Sequence, residues 1–261
     1  MKFFGNHFQK KHLLYVFAAV LLVGIGVSVL PPAVKSVSAV LTAEGERKLP
    51  IYCVQTDEKK VGISFDAAWG ADDTDDLLRI LEENDVHATF FLCGYWVDKY
   101  PEEVQKIADA GHDLGNHSAT HPHMSQLSKE DMAKELQGCH NAVKELTGMD
   151  MHLFRPPFGE YNNAVIETAT ENGYYTIQWD IDSLDWKEKG VDAEINQVLQ
   201  HEHLGNGSIL LFHNDAKYTP QALDTILKGL KQKGFEVVPI SELIHKQNST
   251  MDHEGRQIPT T

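Results

Sequence analysis

Residues 61–66 read Val-Gly-Ile-Ser-Phe-Asp, and they begin the stretch that decides the fold. A short, mostly apolar run with β-branched and aromatic residues is typical of a strand. Residues 72–84 then carry leucine and isoleucine at helical spacing, and residues 87–93 form a second strand-like run rich in phenylalanine and threonine. A strand, a helix and another strand in succession predict one unit of a parallel sheet.

The same alternation continues along the chain. Further strands are expected at 112–115, 153–155, 174–180, 208–213 and 235–239, and helices at 101–111, 128–146, 162–171, 192–201 and 220–233. Such repetition over roughly 200 residues favours an α/β fold, a distorted (β/α) barrel of about seven strands, over an open sheet. In barrels the chemistry lies at the carboxyl ends of the strands. Several apolar runs end in polar residues there: Asp66, Arg155, Asp182, Asp185 and His213.

The N-terminus predicts export. Lysines precede an uncharged stretch over residues 13–30, which as a helix would be about 27 Å long, close to the ~30 Å bilayer core. The basic flank stays in the cytoplasm. We therefore expect a single-pass cell-membrane protein whose partner is the cytoplasmic membrane. Its parts would be a cytoplasmic stub and transmembrane signal anchor (1–31), a linker (32–50), an extracytoplasmic catalytic domain (51–245) and a disordered tail (246–261). Cleavage after Ala39 is the alternative, and it would give a secreted protein.

Charge and cysteines exclude some classes of function. The net charge is −15 and the isoelectric point about 5.3, so a phosphate backbone is repelled and no nucleic acid is expected as a partner. The three cysteines, Cys53, Cys93 and Cys139, form no Cys-x-x-Cys pair. A thiolate zinc motif and a disulfide scaffold are therefore not supported.

Three segments carry candidate chemistry. His117 and His121 are four residues apart, a spacing that would place both imidazoles on one face of a helical turn, within reach of one metal ion. Arg155 precedes Pro-Pro-Phe-Gly, a rigid loop that can present a backbone N–H to an oxyanion, while the guanidinium can hold a carboxylate. His213 ends an apolar strand and can act as a general acid if a carboxylate orients it. Each segment also has an ordinary structural reading: surface histidines, a plain loop, a core histidine.

Together the motifs resemble the polysaccharide deacetylase (NodB-homology) family, carbohydrate esterase family 4. The resemblance covers roughly residues 60–244, and within the family the chain is most similar to sporulation-associated deacetylases of Gram-positive bacteria. The family fold is a distorted (β/α) barrel. Five segments carry the resemblance: Phe-Asp-x-x-Trp-Gly at 65–70, Gly-His-Asp-Leu-Gly-Asn-His-Ser-x-x-His at 111–121, Arg-Pro-Pro-Phe-Gly at 155–159, Asp-Ser-x-Asp-Trp at 182–186 and Leu-x-His at 211–213.

The resemblance implies hydrolysis of the N-acetyl groups of an extracellular polysaccharide, peptidoglycan or another N-acetylglucosamine polymer, with release of acetate. The implied cofactor is a divalent metal, zinc in the first place, with cobalt, manganese or nickel as alternatives. The implied partner is an N-acetylated cell-wall glycan. The roles carried over are metal binding by His117 and His121, a base in Asp66 positioned by Arg155, an acid in His213 tuned by Asp185, an oxyanion-binding N–H in Phe158, and an acetyl pocket walled by Trp186 and Leu211.

One residue departs from the family pattern. Ala67 occupies the position at which the family usually has a second, metal-binding aspartate. Three outcomes stay open: water takes the third ligand place, Asp72 or Asp73 moves in, or the chain binds no metal and is inactive. The rival functions are a catalytically impaired wall-binding protein and a different metal hydrolase, such as an imidase acting on a small amide.

Overall fold

The computed structural model describes residues 46–260 of the chain. The chain divides into residues 1–47 and 48–261. The predicted stub, membrane anchor and most of the linker lie outside the described residues. Among residues 46–260, no helix is both long and apolar enough to cross a bilayer.

Strands and helices alternate as expected. The strands are β1 (Cys53–Val54), β2 (Lys60–Ala67), β3 (Thr89–Leu92), β4 (Asp113–Asn116), β5 (Leu153–Phe154), β6 (Tyr175–Thr176), β7 (Ile181–Asp182), β8 (Ile209–His213), β9 (Glu236–Val238), β10 (Ser249–Met251) and β11 (Arg256–Pro259). The helices are α1 (Thr74–Glu83), α2 (Gly94–Lys99), α3 (Pro101–Asp109), α4 (Lys129–Thr147), α5 (Asn163–Glu171), α6 (Val191–Leu199), α7 (Thr219–Gln232) and α8 (Ile240–Leu243).

The main sheet is parallel throughout. Seven strands follow the order β6-β5-β4-β3-β2-β8-β7, and β9 pairs with the first residues of β2. Helices connect the strands and pack against them. This curled sheet fits a distorted (β/α) barrel, so the predicted fold class is confirmed for the described residues.

Aromatic packing holds the centre of the sheet. Phe65 of β2 stacks on Phe90 of β3 at 5.0 Å between ring centroids, and it lies 5.7 Å from Phe212 of β8. All three side chains are fully buried. Burial of each ring contributes about 2–3 kcal/mol. These contacts fix β2 and β8 side by side, with Asp66 paired to His213 in register.

Local signals set the ends of several helices. Ser128 caps α4 by accepting a hydrogen bond from the Asp131 N–H at 3.1 Å, and Gly148 ends it at a φ of 74°. Pro101 begins α3, where its missing N–H costs nothing. Asp73 lies at the N-cap position of α1, although its side chain accepts no capping hydrogen bond there.

The C-terminal residues contradict the expected disordered tail. β10 pairs antiparallel with β11, and β11 pairs parallel with β1. Gln257, only 3% exposed, accepts a hydrogen bond from the His245 N–H and donates one to the His245 carbonyl. Backbone pairing and one buried amide satisfy these polar residues, so an apolar pattern is not needed to order them.

Candidate active site

The predicted site residues converge at one edge of the main sheet. Asp66 and His213 lie at the carboxyl ends of β2 and β8, while His117 and Arg155 directly follow β4 and β5. Asp185 follows β7 by three residues. Because the strands are parallel, their carboxyl ends meet, and this topology brings together residues that are far apart in sequence.

A buried ion pair anchors the site. Nη1 of Arg155 donates to Oδ1 of Asp66 at 2.7 Å, and Nη2 donates to the Gln178 carbonyl at 3.2 Å. The guanidinium lies 4.1 Å from the ring centroid of Phe91. Burial alone would raise the pKa of Asp66, but the charge and hydrogen bond of Arg155, with the charge of His213, outweigh it and hold that pKa below its usual value. Asp66 is therefore ionised, with Oδ2 outside the bond to Arg155.

The two predicted metal-binding histidines lie in a loop, so the expected helical turn is wrong. Oδ1 of Asn116 accepts from the Ser118 N–H at 2.8 Å, and Oγ of Ser118 accepts from the His121 N–H at 2.9 Å. Ser118 and His121 have φ values of 70° and 57°, which few residues adopt. The loop nevertheless brings the ring centroids of His117 and His121 to 4.9 Å, so the two imidazoles meet as predicted.

Their chemistry fits a divalent metal. Nδ1 of His117 lies 2.8 Å from the Arg155 carbonyl, an acceptor only, so Nδ1 carries the proton and the Nε2 lone pair is left for a ligand bond. Nε2 lies 3.6 Å from Oδ2 of Asp66. Burial lowers the pKa of His117 and lowers that of His121 to about 4, so both imidazoles are neutral, the form that binds metals.

A third protein ligand is not supplied by position 67. Ala67 is fully buried and has no donor atom. Cys93 is the further residue whose candidate ligand atom groups with those of His117 and His121, all within 4.8 Å of one another. Its Sγ lies 3.3 Å from the His117 carbonyl, and burial raises the pKa of the thiol above its usual value. The thiol is therefore protonated when no metal is bound, but a metal ion deprotonates a cysteine that coordinates it, so Cys93 is a candidate third ligand.

Neither Asp72 nor Asp73 joins the histidine cluster in the part of the chain that the structure describes. The preceding loop is held in place, because the Gly70 carbonyl accepts from Nε1 of Trp96 at 2.8 Å and from Nδ2 of Asn214 at 2.7 Å. Asp73 instead begins α1, where burial and the nearby Asp215 raise its pKa. The anchored loop therefore opposes a movement of Asp72 or Asp73 towards the histidines to become the third metal ligand.

His213 and Asp185 form the second half of the site. Nδ1 of His213 lies 2.8 Å from Oδ1 of Asp185, and the His213 N–H donates to Oδ2 at 2.7 Å. Burial lowers the pKa of His213, but the hydrogen bond and charge of Asp185, with Asp66 and Asp182, outweigh it and raise the pKa above its usual value. A protonated imidazole with Nε2 directed away from Asp185 is the arrangement of a general acid.

The residues predicted to contact substrate differ in exposure. Phe158 is 56% exposed, has a φ of 60°, and packs against the rings of His121 and His123. Trp186 is 54% exposed, whereas Leu211 is buried within β8. The Phe158 N–H donates to no protein acceptor among residues 46–260, which leaves it available to an oxyanion. The binding roles of these residues stay predictions.

Trp69 is a further residue of the site that the sequence motifs alone do not assign a role. Its ring is 58% exposed and lies 6.3 Å from the ring of His121 and 5.7 Å from that of His213. The tryptophan thus lies between the two histidine groups. The available signal was its position, since a large aromatic residue three places after the Asp66 carboxylate must lie at the same sheet edge.

Comparison with known proteins identifies the family. The sequence model for polysaccharide deacetylases matches residues 54–177. A peptidoglycan-N-acetylglucosamine deacetylase from Bacillus cereus is 34% identical over 196 residues, which cover 73% of this chain and 91% of that protein. The chain belongs to the polysaccharide deacetylase family. This confirms the resemblance and, with it, a family of enzymes that hydrolyse amide bonds.

Two further matches, one of them to an uncharacterized protein, qualify the similarity. YlxY from Bacillus subtilis is 33% identical over 195 residues, but the match spans only 60% of that protein's length. The crystal structure of BA3943, a family pseudoenzyme from Bacillus anthracis, is similar with a TM-score of 0.72 and 35% identity, covering 76% of this chain and 69% of that one. A mutant of BA3943 with a TM-score of 0.72 is described as having restored enzymatic activity.

Proposed function

We propose that this chain removes N-acetyl groups from a cell-wall polysaccharide outside the cytoplasm, with peptidoglycan as the substrate class and acetate as a product. Family membership supports amide hydrolysis, and the names of the B. cereus relative and of the B. subtilis peptidoglycan-N-acetylmuramic acid deacetylase PdaA support the substrate class. The observation that carries the proposal is the presence of both a base and an acid around one pair of histidines.

The base is Asp66. Its Oδ1 is held by Arg155, so the free Oδ2 is oriented towards the histidine pair, where it takes a proton from the attacking water. Arg155 fixes the carboxylate in the ionised form. The carboxylate is buried, which keeps its position defined without competing solvent.

The acid is His213, and it serves the leaving group. An amide nitrogen leaves readily only after protonation, and Nε2 of His213 supplies that proton while Nδ1 stays bound to Asp185. The raised pKa keeps a useful fraction of the imidazole protonated near neutral pH. The Phe158 N–H offers a hydrogen bond to the developing oxyanion.

His117 and His121 would hold the divalent metal, zinc in the first place, and when bound it supplies Lewis-acid polarisation of the amide carbonyl. The two neutral imidazoles fit such an ion. With no carboxylate ligand at Ala67, we expect weaker binding than a two-histidine, one-aspartate site provides.

The rim of the site favours a sugar polymer over a small amide. Trp69, Phe158 and Trp186 are all more than half exposed. Exposed aromatic faces at an open site can stack on sugar rings, because the C–H faces of a pyranose are apolar. We propose that these three residues carry the glycan chain, and that Trp186 and Leu211 line its acetyl pocket.

We further propose that residues 13–30 anchor the protein in the cytoplasmic membrane, which would place the catalytic domain beside the wall. Fusion of a reporter enzyme after Thr261 would test the orientation. Reporter activity only in the cytoplasm would contradict it.

A wall-binding pseudoenzyme is the second candidate function. Two observations favour it: Ala67 removes a ligand, and BA3943, of similar fold, is described as a pseudoenzyme. Retention of both the Asp66–Arg155 and the His213–Asp185 pairs argues against it, because a binding groove needs neither a base nor an acid.

The test is acetate release by the purified full chain from peptidoglycan and N-acetylglucosamine oligomers, with zinc or cobalt supplied. His117→Ala should lose bound metal and activity together, whereas His203→Ala, an exposed histidine elsewhere, should change neither. If the wild-type chain binds no metal and releases no acetate from several wall polymers, the pseudoenzyme is the better account.

A further inference from the structure

A second buried carboxyl group lies behind the His213–Asp185 pair. Glu194 of α6 is only 4% exposed, and its Oε1 lies 2.9 Å from Oγ1 of Thr219. The same Oγ1 lies 3.2 Å from Oδ2 of Asp185. Thr219, at the start of α7, is fully buried. One hydroxyl group therefore bridges two carboxyl groups.

The Thr219 hydroxyl can donate a hydrogen bond to only one of the two carboxyl groups. A threonine hydroxyl has one hydrogen, so it cannot donate to two carboxylates at once. Asp185 already accepts three N–H groups, from the Trp186 backbone at 2.7 Å and from the backbone and ring of His213 at 2.7 and 2.8 Å. Asp185 is thus well satisfied as an anion, whereas among residues 46–260 the Glu194 side chain has only the threonine hydroxyl as a hydrogen-bond partner. The additional proton belongs on Glu194, whose carboxyl then donates to Thr219 while Thr219 donates to Asp185.

Burial and the charge of Asp185 support this assignment. Burial, first, and then the Asp185 charge raise the pKa of Glu194 to about 7, against the lowering effect of Thr219. A cavity of about 330 Å³ is lined by both carboxyl groups and by Lys189, so protons can reach Glu194 from solvent. Thr219 is its hydrogen-bond partner, and Asp185 and Lys189 are the charged residues that line the cavity with it. The polar residues of the cavity lining are Ser183, Asn196 and Gln197.

We propose that Glu194 is a positioning residue that controls, through the Thr219 hydroxyl, how tightly Asp185 holds the proton of His213. With Glu194 neutral, Asp185 receives a fourth donor and binds the imidazolium less strongly. Loss of the Glu194 proton turns the hydroxyl towards Glu194 and adds a negative charge near Asp185. Both changes raise the pKa of His213, so the two titrations are coupled. The catalytic consequence rests on the proposed deacetylation.

NMR titration of the His213 ring in the full chain, with metal removed by a chelator, tests the coupling without activity. The His213 resonance is the one missing in His213→Asn. In Glu194→Gln, whose amide can donate to Thr219 but never ionises, the pKa of His213 should fall by about one unit and its curve should become a single-site curve. Thr219→Val should also weaken the coupling, and Thr219→Ser should restore it. Asp192→Asn, an exposed carboxylate on the same helix, is the matched control and should leave the pKa unchanged.

An unchanged His213 pKa in a folded Glu194→Gln protein would overturn the proposal. If the coupling is present, the alkaline limb of the acetate-release profile should move to lower pH in Glu194→Gln. A protein with the coupling but without acetate release would keep the Glu194 assignment and reject the deacetylase proposal, so the two failures can be told apart.

Discussion

The buried pair of Asp66 and Arg155 should be strongly cooperative in stability. Arg155→Met keeps most of the side-chain volume but leaves Asp66 as an unpaired buried carboxylate. Asp66→Asn leaves the guanidinium unpaired. Breaking a buried ion pair from one side costs about 3–5 kcal/mol, and for a domain of this size each kcal/mol lowers Tm by about 2–4 °C. We therefore expect each single variant to melt roughly 6–20 °C below the wild type.

The double variant should recover much of that loss, because no buried charge remains unpaired. What it still lacks is the bond from Arg155 to the Gln178 carbonyl at 3.2 Å and the contact with Phe91, together about 1–2 kcal/mol. The coupling energy is the sum of the two single losses less the loss of the double variant, so it should be about 4–9 kcal/mol.

The assay is urea unfolding of the wild type, both single variants and the double variant, with a chelator present so that metal binding does not contribute. The exposed pair of Arg79 and Glu83, at 2.9 Å and more than half exposed on both sides, is the control cycle and should show at most about 0.5 kcal/mol. If the Asp66–Arg155 variants are additive within that same limit, the buried pair does not hold the site together as argued.

Three further predictions follow from single residues. His112 accepts the Ala88 N–H in its neutral form, and burial with the nearby His87 lowers its pKa from 6.5 to about 4. Since the folded value is depressed, about 3 kcal/mol of stability should be lost as pH falls from 6.5 towards 4, and His112→Asn should flatten this dependence in urea titrations. Ala67→Asp should tighten zinc binding at least about tenfold by supplying a carboxylate ligand, measured by calorimetry, and an unchanged Kd would show that position 67 does not face the metal. Ser128→Ala should destabilise the domain by about 1 kcal/mol in thermal melts through loss of the α4 cap, and Lys129→Ala is the control.

The fold class follows from the sequence because its determinants are local. Periodicity places β2 and α1 within a few residues of their positions, and single residues such as Ser128, Pro101 and Gly148 mark helix ends. The positions of the motifs at the sheet edge could also be predicted, because each motif follows a strand. The structure of polar segments without periodicity could not be predicted. The strands β10 and β11 form in a segment for which disorder was expected.

The site depended on contacts that no local pattern contains. The sequence places His117 and His121 four residues apart, but the loop that brings their rings together is formed by backbone N–H groups donating to the side chains of Asn116 and Ser118. Trp69 became a site residue only because β2 and β4 end at the same edge.

The alternating strands and helices, the order of the motifs and the absence of an aspartate at position 67 can all be read from residue type and spacing alone. Only the tertiary contacts show that Trp96 and Asn214 anchor the Gly70 carbonyl and that Cys93 lies beside the two histidines. The same holds for the Thr219 hydroxyl, which bridges Asp185 and Glu194. The reason is physical: pKa values, ion pairs and shared protons depend on burial and on distances of a few ångströms between residues far apart in the chain.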